Sequence, residues 1–151
     1  MRTAEIVRLQ ATMDDKTKKA AEAIGVPKIR RHIFLCCDQT KPRCSDKEAS
    51  LESWDYLKKR LKELGLTGDG GIYRTKANCL QVCHQGPVAV VYPEGAWYHS
   101  CTPEVIDRII HEHLLEGRPV EEYLIFKSRE KGLTGEYEQT GKDSPERISD
   151  D

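Results

Sequence analysis

The chain has 151 residues, a net charge of −1, and 38% hydrophobic against 32% charged residues. That length fits one domain with tails, and the near-neutral charge gives no reason to expect nucleic acid or an anionic membrane as a partner. No apolar run approaches the length of a bilayer span. The first ten residues lack the apolar core and cleavage site of a secretory signal, so the expected location is the cytoplasm.

Residues 1–29 are polar, with a weak helical stripe of Ile6, Val7, Leu9 and Met13 that Gly25 and Pro27 end. They are expected to form a weakly helical or flexible extension. From Arg30 to Cys36 a short apolar run reads as a strand, and Cys37 to Cys44, with Pro42, reads as a loop. Ser45-Asp-Lys-Glu48 fits a capping box. The helix it opens should run to about Leu64, because Leu51, Trp54, Leu57, Leu61 and Leu64 share one face. Gly65 suits its C-terminal cap.

Gly68 to Gly71 then reads as a turn and Ile72 to Lys76 as a strand. The loop that follows holds Cys79 and Cys83, with Gly86-Pro87 at its exit. Val88 to Tyr92 and Ala96 to His99 are expected to form a hairpin around Pro93-Glu-Gly95. A second helix opens at Thr102-Pro103, with Thr102 as N-cap and Pro103 at the first helical position. Its buried stripe is Val105, Ile106, Ile109, Ile110, His113 and Leu114, and Gly117 and Pro119 stop it. Val120 to Phe126 reads as a closing segment. Residues 127–151 are charged and rich in Gly, Ser and Thr, and read as a disordered tail.

The order strand–helix–strand, then strand–strand–helix, predicts an α/β domain over residues 30–126. Its first two strands should be parallel through a right-handed crossover, and the last two antiparallel. A mixed four-stranded sheet with two main helices is the thioredoxin-like architecture. Parallel strands end on the same side of a sheet, so the loop carrying Cys36 and Cys44 and the loop carrying Cys79 and Cys83 should arrive at one end of the molecule.

Six cysteines in a reducing compartment point to metal ligands or redox thiols before structural disulfides. Two convergent pairs match the demand of a 2Fe–2S cluster, in which each iron takes two protein sulfurs beside the bridging sulfides. Structural zinc usually takes closer pairs than Cys36 and Cys44, so a zinc-stabilised binding module fits less well. A thiol–disulfide redox protein of the same fold would carry C-x-x-C at a helix start, and no such motif occurs. Strand geometry leaves Cys36 and Cys37 equivalent as the first ligand. Lys41, Arg43, Arg74 and Lys76 against Asp38 and Asp46 could form a mildly basic collar that steers an acidic partner. Cys101 reads as a small buried thiol and His84 as a solvent-facing loop residue. Trp97 and Tyr98 suit either the core or a dimer surface.

Several segments together resemble the thioredoxin-like 2Fe–2S ferredoxins, a family related to the small iron–sulfur subunit of NADH dehydrogenases. They are His32-Ile-Phe-Leu-Cys36, Lys41-Pro-Arg-Cys44, Cys79-Leu-Gln-Val-Cys83, Gly86-Pro87 through Tyr98, and Thr102-Pro-Glu104, and the likeness covers roughly residues 30–125. The resemblance implies a one-electron carrier with a single 2Fe–2S cluster, redox partner proteins, and often a homodimer. Carried over by position, it implies Cys36, Cys44, Cys79 and Cys83 as ligands and so selects Cys36 over Cys37. It also leaves open a relay subunit of a larger NADH- or flavin-linked complex.

Overall fold

The structure is a computed structural model that describes residues 12–40, 46–82, 84–128 and 137–139. Helix α1 (Asp15–Ala23) buries none of its residues, and Asp14 caps it by accepting from Lys16 N–H at 3.1 Å. Strand β1 (Arg31–Cys36), helix α2 (Lys47–Glu63) and strand β2 (Ile72–Ala77) form the predicted crossover unit. Strands β3 (Ala89–Tyr92) and β4 (Ala96–Tyr98) form the hairpin. Helix α3 (Pro103–Arg108) runs directly into a π-helical segment (Ile109–Leu115), and β5 (Leu124–Ser128) and β6 (Tyr137–Gln139) follow.

The sheet order is β2-β1-β3-β4-β5-β6. The β1–β2 pair is parallel, with Cys36 opposite Ala77, and every other pair is antiparallel. The fold class is as expected, but the sheet has six strands instead of four. Val120 to Phe126 is more than a closing segment, because its apolar end extends β4 as a neighbouring strand in which Trp97 faces Phe126. The disordered tail expected from residue 127 also needs correction. Lys127 and Ser128 complete β5, and Tyr137–Gln139 pairs with it. An edge strand is held by backbone hydrogen bonds, which need no apolar pattern and so leave no periodic signal. The remaining tail positions, and residues 1–11 with the stripe Ile6, Val7 and Leu9, lie outside the described residues.

One side of the sheet carries the core. Ile33, Leu35, Ala89, Val91, Ala96 and Tyr98 pack with Trp54, Leu57 and Leu61 of α2 and with Val105, Ile106, Ile109, Ile110 and Leu114. The second helical stripe recurs every four residues, and a spacing of four serves an α-helix and a π-helix alike. The start of α2 differs from the expected capping box. Its N-cap is Asp46, whose carboxylate accepts from Ala49 N–H at 2.7 Å. A carboxylate at this position also meets the positive end of the helix dipole, which a hydroxyl one residue earlier cannot do. Period-two alternation places His32, Phe34, Tyr73, Tyr92, Trp97 and Phe126 on the opposite side. There His32 stacks on Phe34 at 4.0 Å between centroids, and Phe34 meets Tyr92 edge-on.

Candidate functional site

Because β1 and β2 are parallel, both of their C-terminal loops lie at one end of the sheet. The loop after β2 is also the loop before β3, and the loop after β4 reaches the same end, since β3 runs antiparallel to β1 and β4 antiparallel to β3. The described non-glycine residues with positive φ all fall in these three loops: Asp38 (53°), Gln81 (64°), Gln85 (48°) and Ser100 (53°). Each such residue costs on the order of 1–3 kcal/mol, and strain of this kind gathers where a site demands a backbone shape. The loops are tied together. Ser100 N–H donates to Gln85 O at 2.6 Å, and Cys101 N–H donates to Pro87 O at 2.9 Å.

Cys36 and Cys37 are neighbours in sequence but differ in surroundings. The ladder continues past the strand end, with Cys36 N–H donating to Val88 O and Cys37 N–H to Ala77 O. Alternation then turns the two side chains apart. Cys37 joins the core under α2, and burial pushes its thiol up to about 11. Cys36 stays with the loops. Its Sγ accepts from Gln39 Nε2 at 3.2 Å and lies 4.0 Å from Asn78 O, at the start of the Cys79 loop.

Gln39 is 3% exposed and is held from its other end by Ser50 of α2, whose hydroxyl donates to Gln39 Oε1 at 3.2 Å. Asn78 joins the two cysteine loops directly. Thr40 N–H donates to its Oδ1 at 2.7 Å, and its Nδ2 donates to Thr40 Oγ1 at 3.1 Å. Cys79 is exposed, and its Sγ accepts from Gln81 N–H at 3.2 Å. Sequence reasoning missed Gln39, Ser50 and Asn78. Polar loop residues carry no periodic signal, and only the fold reveals that two of these three are buried.

Cys44, Cys83, Lys41 and Arg43 lie outside the described residues. Among the described residues no three His, Cys, Asp or Glu side chains group as metal ligands. Of the four expected thiols, only Cys36 and Cys79 are among those residues. The chemistry of those two fits an iron–sulfur group. Both sulfurs accept N–H bonds, as cluster thiolates do, and both are free of disulfides.

The other expectations divide. Cys101 is fully buried, and burial raises its thiol far above the usual range, so it is a core residue. His84 is exposed, as expected. Of the basic collar, the described members Lys76 and Arg74 are both engaged within the chain. Asp38 takes Lys76 and Lys47 at 3.1 Å each, and these hydrogen bonds hold its carboxyl below the usual range. Arg74 turns to the Trp54 ring, 5.6 Å from its centroid. Trp97 lies on the open face of the sheet, whereas Tyr98 is in the core.

A second polar cluster joins the end of β4 to the opposite end of the sheet, where β1 begins and the β3–β4 hairpin turns. Val120 N–H donates to Tyr98 Oη at 3.0 Å, so the phenol proton is left for His113 Nδ1, 2.7 Å away. His113 Nε2 then carries the ring proton. It approaches Glu94 Oε2 to 3.3 Å without the alignment of a hydrogen bond, and Arg31 Nε donates to Glu94 Oε1 at 2.8 Å. Burial lowers the basicity of His113 against the opposing pull of Glu94.

No family model matches the chain. A 2Fe-2S ferredoxin of Aquifex aeolicus (strain VF5) is 32% identical over 108 residues, which cover 68% of this chain and 96% of that protein. A 2Fe-2S ferredoxin of Clostridium pasteurianum is 31% identical over 98 residues, 60% of this chain and 91% of that protein. Among solved structures, a thioredoxin-like [2Fe-2S] ferredoxin from Aquifex aeolicus superposes with a TM-score of 0.55 at 30% identity, covering 70% of this chain and 98% of that one. The crystal structure of the wild-type thioredoxin-like [2Fe-2S] ferredoxin from Aquifex aeolicus at 1.5 Å resolution gives 0.53 at 32% identity, over 64% of this chain and 97% of that one. The chain belongs to the thioredoxin-like 2Fe-2S ferredoxins.

Proposed function

We propose that the protein is a one-electron carrier that holds a single 2Fe–2S cluster through Cys36, Cys44, Cys79 and Cys83. The observation that carries this reading is the parallel β1–β2 pair, which delivers Cys36 and the Cys79 loop to one strained end of the sheet. When bound, the cluster supplies one reversible electron. The chain supplies thiolates, N–H donors toward their sulfurs, and walls that limit water. It makes and breaks no substrate bonds and is therefore a carrier and not an enzyme.

The surroundings of Cys36 and Cys37 favour Cys36 as the first ligand. Cys37 is sealed in the core with a thiol that resists ionisation. A thiol–disulfide activity has no support from the core cysteines Cys37 and Cys101. No helix among the described residues is long and apolar enough to cross a membrane, which agrees with a cytoplasmic carrier. Its partners are redox proteins and a second copy of the chain. The aromatic face of the sheet, where Tyr92 is 45% exposed, is the surface offered to that copy.

The test is a visible absorption and EPR spectrum of anaerobically purified protein, with iron and sulfide counts. Two irons and two acid-labile sulfides per chain are expected, with a paramagnetic signal only after one-electron reduction. Stoichiometric zinc in protein expressed with ample iron and sulfide would sink the reading.

A further inference from the structure

We propose that Gln39 is a positioning residue for the cluster: its side-chain amide donates to the Cys36 sulfur while Ser50 locks that amide from α2, and this hydrogen bond raises the reduction potential. The inference rests on the reading of Cys36 as a ligand. It starts from a buried polar side chain that reaches the Cys36 sulfur. Gln39 is 3% and Ser50 0% exposed, and a buried amide must satisfy both its ends.

The two ends are different. Nε2 lies 3.2 Å from Cys36 Sγ, and Oε1 lies 3.2 Å from Ser50 Oγ. A free thiol can donate or accept, so it would tolerate either orientation of the amide. A metal-bound sulfur can only accept. Ligation therefore requires the NH2 end at Cys36 and the carbonyl end at Ser50. Ser50 has one proton to give, and Lys47 O at 2.9 Å competes for it. When the amide carbonyl faces Ser50, the hydroxyl can turn from Lys47 O to Gln39 Oε1, and the chain of bonds runs from α2 to the sulfur in one direction.

An N–H bond to a ligand sulfur withdraws charge from the centre. The reduced state carries one more negative charge, so the bond stabilises it more than the oxidised state. Cys79 receives its equivalent bond from a main-chain amide, Gln81 N–H, which no side-chain substitution removes. Gln39 is thus a described side chain through which sequence can tune this centre.

The experiment measures the midpoint potential of the full-length, cluster-loaded protein and of four variants. Q39L keeps the bulk and removes the donor. Its reduction equilibrium should fall three- to tenfold, a shift of about 30–60 mV at 59 mV per decade for one electron. Q39E places oxygen at the sulfur and should shift further in the same direction. S50A leaves the donor but frees it and should shift less, with the same sign. K59Q, on the exposed face of α2, should not shift at all. In the reduced wild type, 15N-labelled glutamine side-chain amide should show a hyperfine coupling that Q39L removes. An unchanged potential in Q39L, or the same coupling in both proteins, overturns the inference and leaves the carrier reading intact. A wild type that assembles no cluster overturns both. If Q39L assembles none, S50A decides, since it keeps the glutamine: an unchanged potential there overturns the inference.

Discussion

Asn78 and Thr40, 38 residues apart, exchange two hydrogen bonds: Thr40 N–H to Asn78 Oδ1 at 2.7 Å, and Asn78 Nδ2 to Thr40 Oγ1 at 3.1 Å. One side chain therefore closes the gap between the two cysteine loops. Without it, each loop is free to move its thiols relative to the other's. Asn78→Ala should cost about 1–2 kcal/mol at most, since both groups are exposed and water can replace the bonds. Its effect on the cluster should be larger than its effect on the fold. Loss of visible absorbance under a chelator should be several-fold faster, and a rate equal to wild type would show that the clamp is incidental.

The ligand assignment predicts a sharp division among the six cysteines. Cys36→Ala, Cys44→Ala, Cys79→Ala and Cys83→Ala should each lose or severely destabilise the cluster, as read by absorption and EPR. Cys37→Ala and Cys101→Ala should keep near-normal spectra and lose about 1 kcal/mol of stability through the small cavity left behind. Retention in Cys36→Ala with loss in Cys37→Ala would move the first ligand by one residue.

Thiol reactivity in the native state should follow the same line. With its pKa pushed up to about 11, Cys37 has on the order of one thiolate in ten thousand at neutral pH. Burial adds a steric block. In apo protein, alkylation mapped by mass spectrometry should mark exposed Cys79 long before Cys37 or Cys101. Labelling of Cys37 at the rate of Cys79 would contradict its place in the core.

His113 should give the fold an acid-sensitive component. It is buried and neutral, facing Glu94, Arg31 and Tyr98, and its basicity is lowered by burial, with Lys127 and Arg31 adding to that effect against Glu94. The unfolded imidazole titrates near 6.5, above the folded one. Below about pH 6.5 the unfolded chain therefore binds more protons, and stability falls as pH falls toward the folded value. Above that window the contribution is fully present. Urea unfolding between about pH 7.5 and 5 should show this slope, and His113→Phe should flatten it. That variant should also cost about 1–3 kcal/mol at pH 7.5, because Tyr98 loses its acceptor.

Truncation after Ser128 removes β6 and exposes the edge of β5. Between β6 and β1 lie β5, β4 and β3, so the cluster spectrum should not change. The thermal midpoint should drop by a few degrees, and association at high concentration should rise as a free edge becomes available. An altered cluster spectrum would mean that the removed residues reach the site.

The sequence by itself determined the order of the elements, the face that α2 buries, and the two pairs of cysteines that follow parallel strands. Those features repeat with a period or obey chain topology, so local pattern carries them. It also carried the resemblance to the family, through the cysteine segments and the hairpin around Pro93, and a relative 32% identical bears that family out. Only the tertiary structure separated Cys36 from Cys37. Strand alternation beyond the last paired residue sends one thiol to the loops and the other into the core, and no spacing distinguishes them. The same holds for Gln39, Ser50 and Asn78, whose roles depend on contacts 11 and 38 residues away. It holds as well for β6, which is joined by backbone bonds that any polar residues can make. Hydrophobic periodicity is a property of one segment, whereas a hydrogen bond between loops exists only once the sheet has brought their ends together.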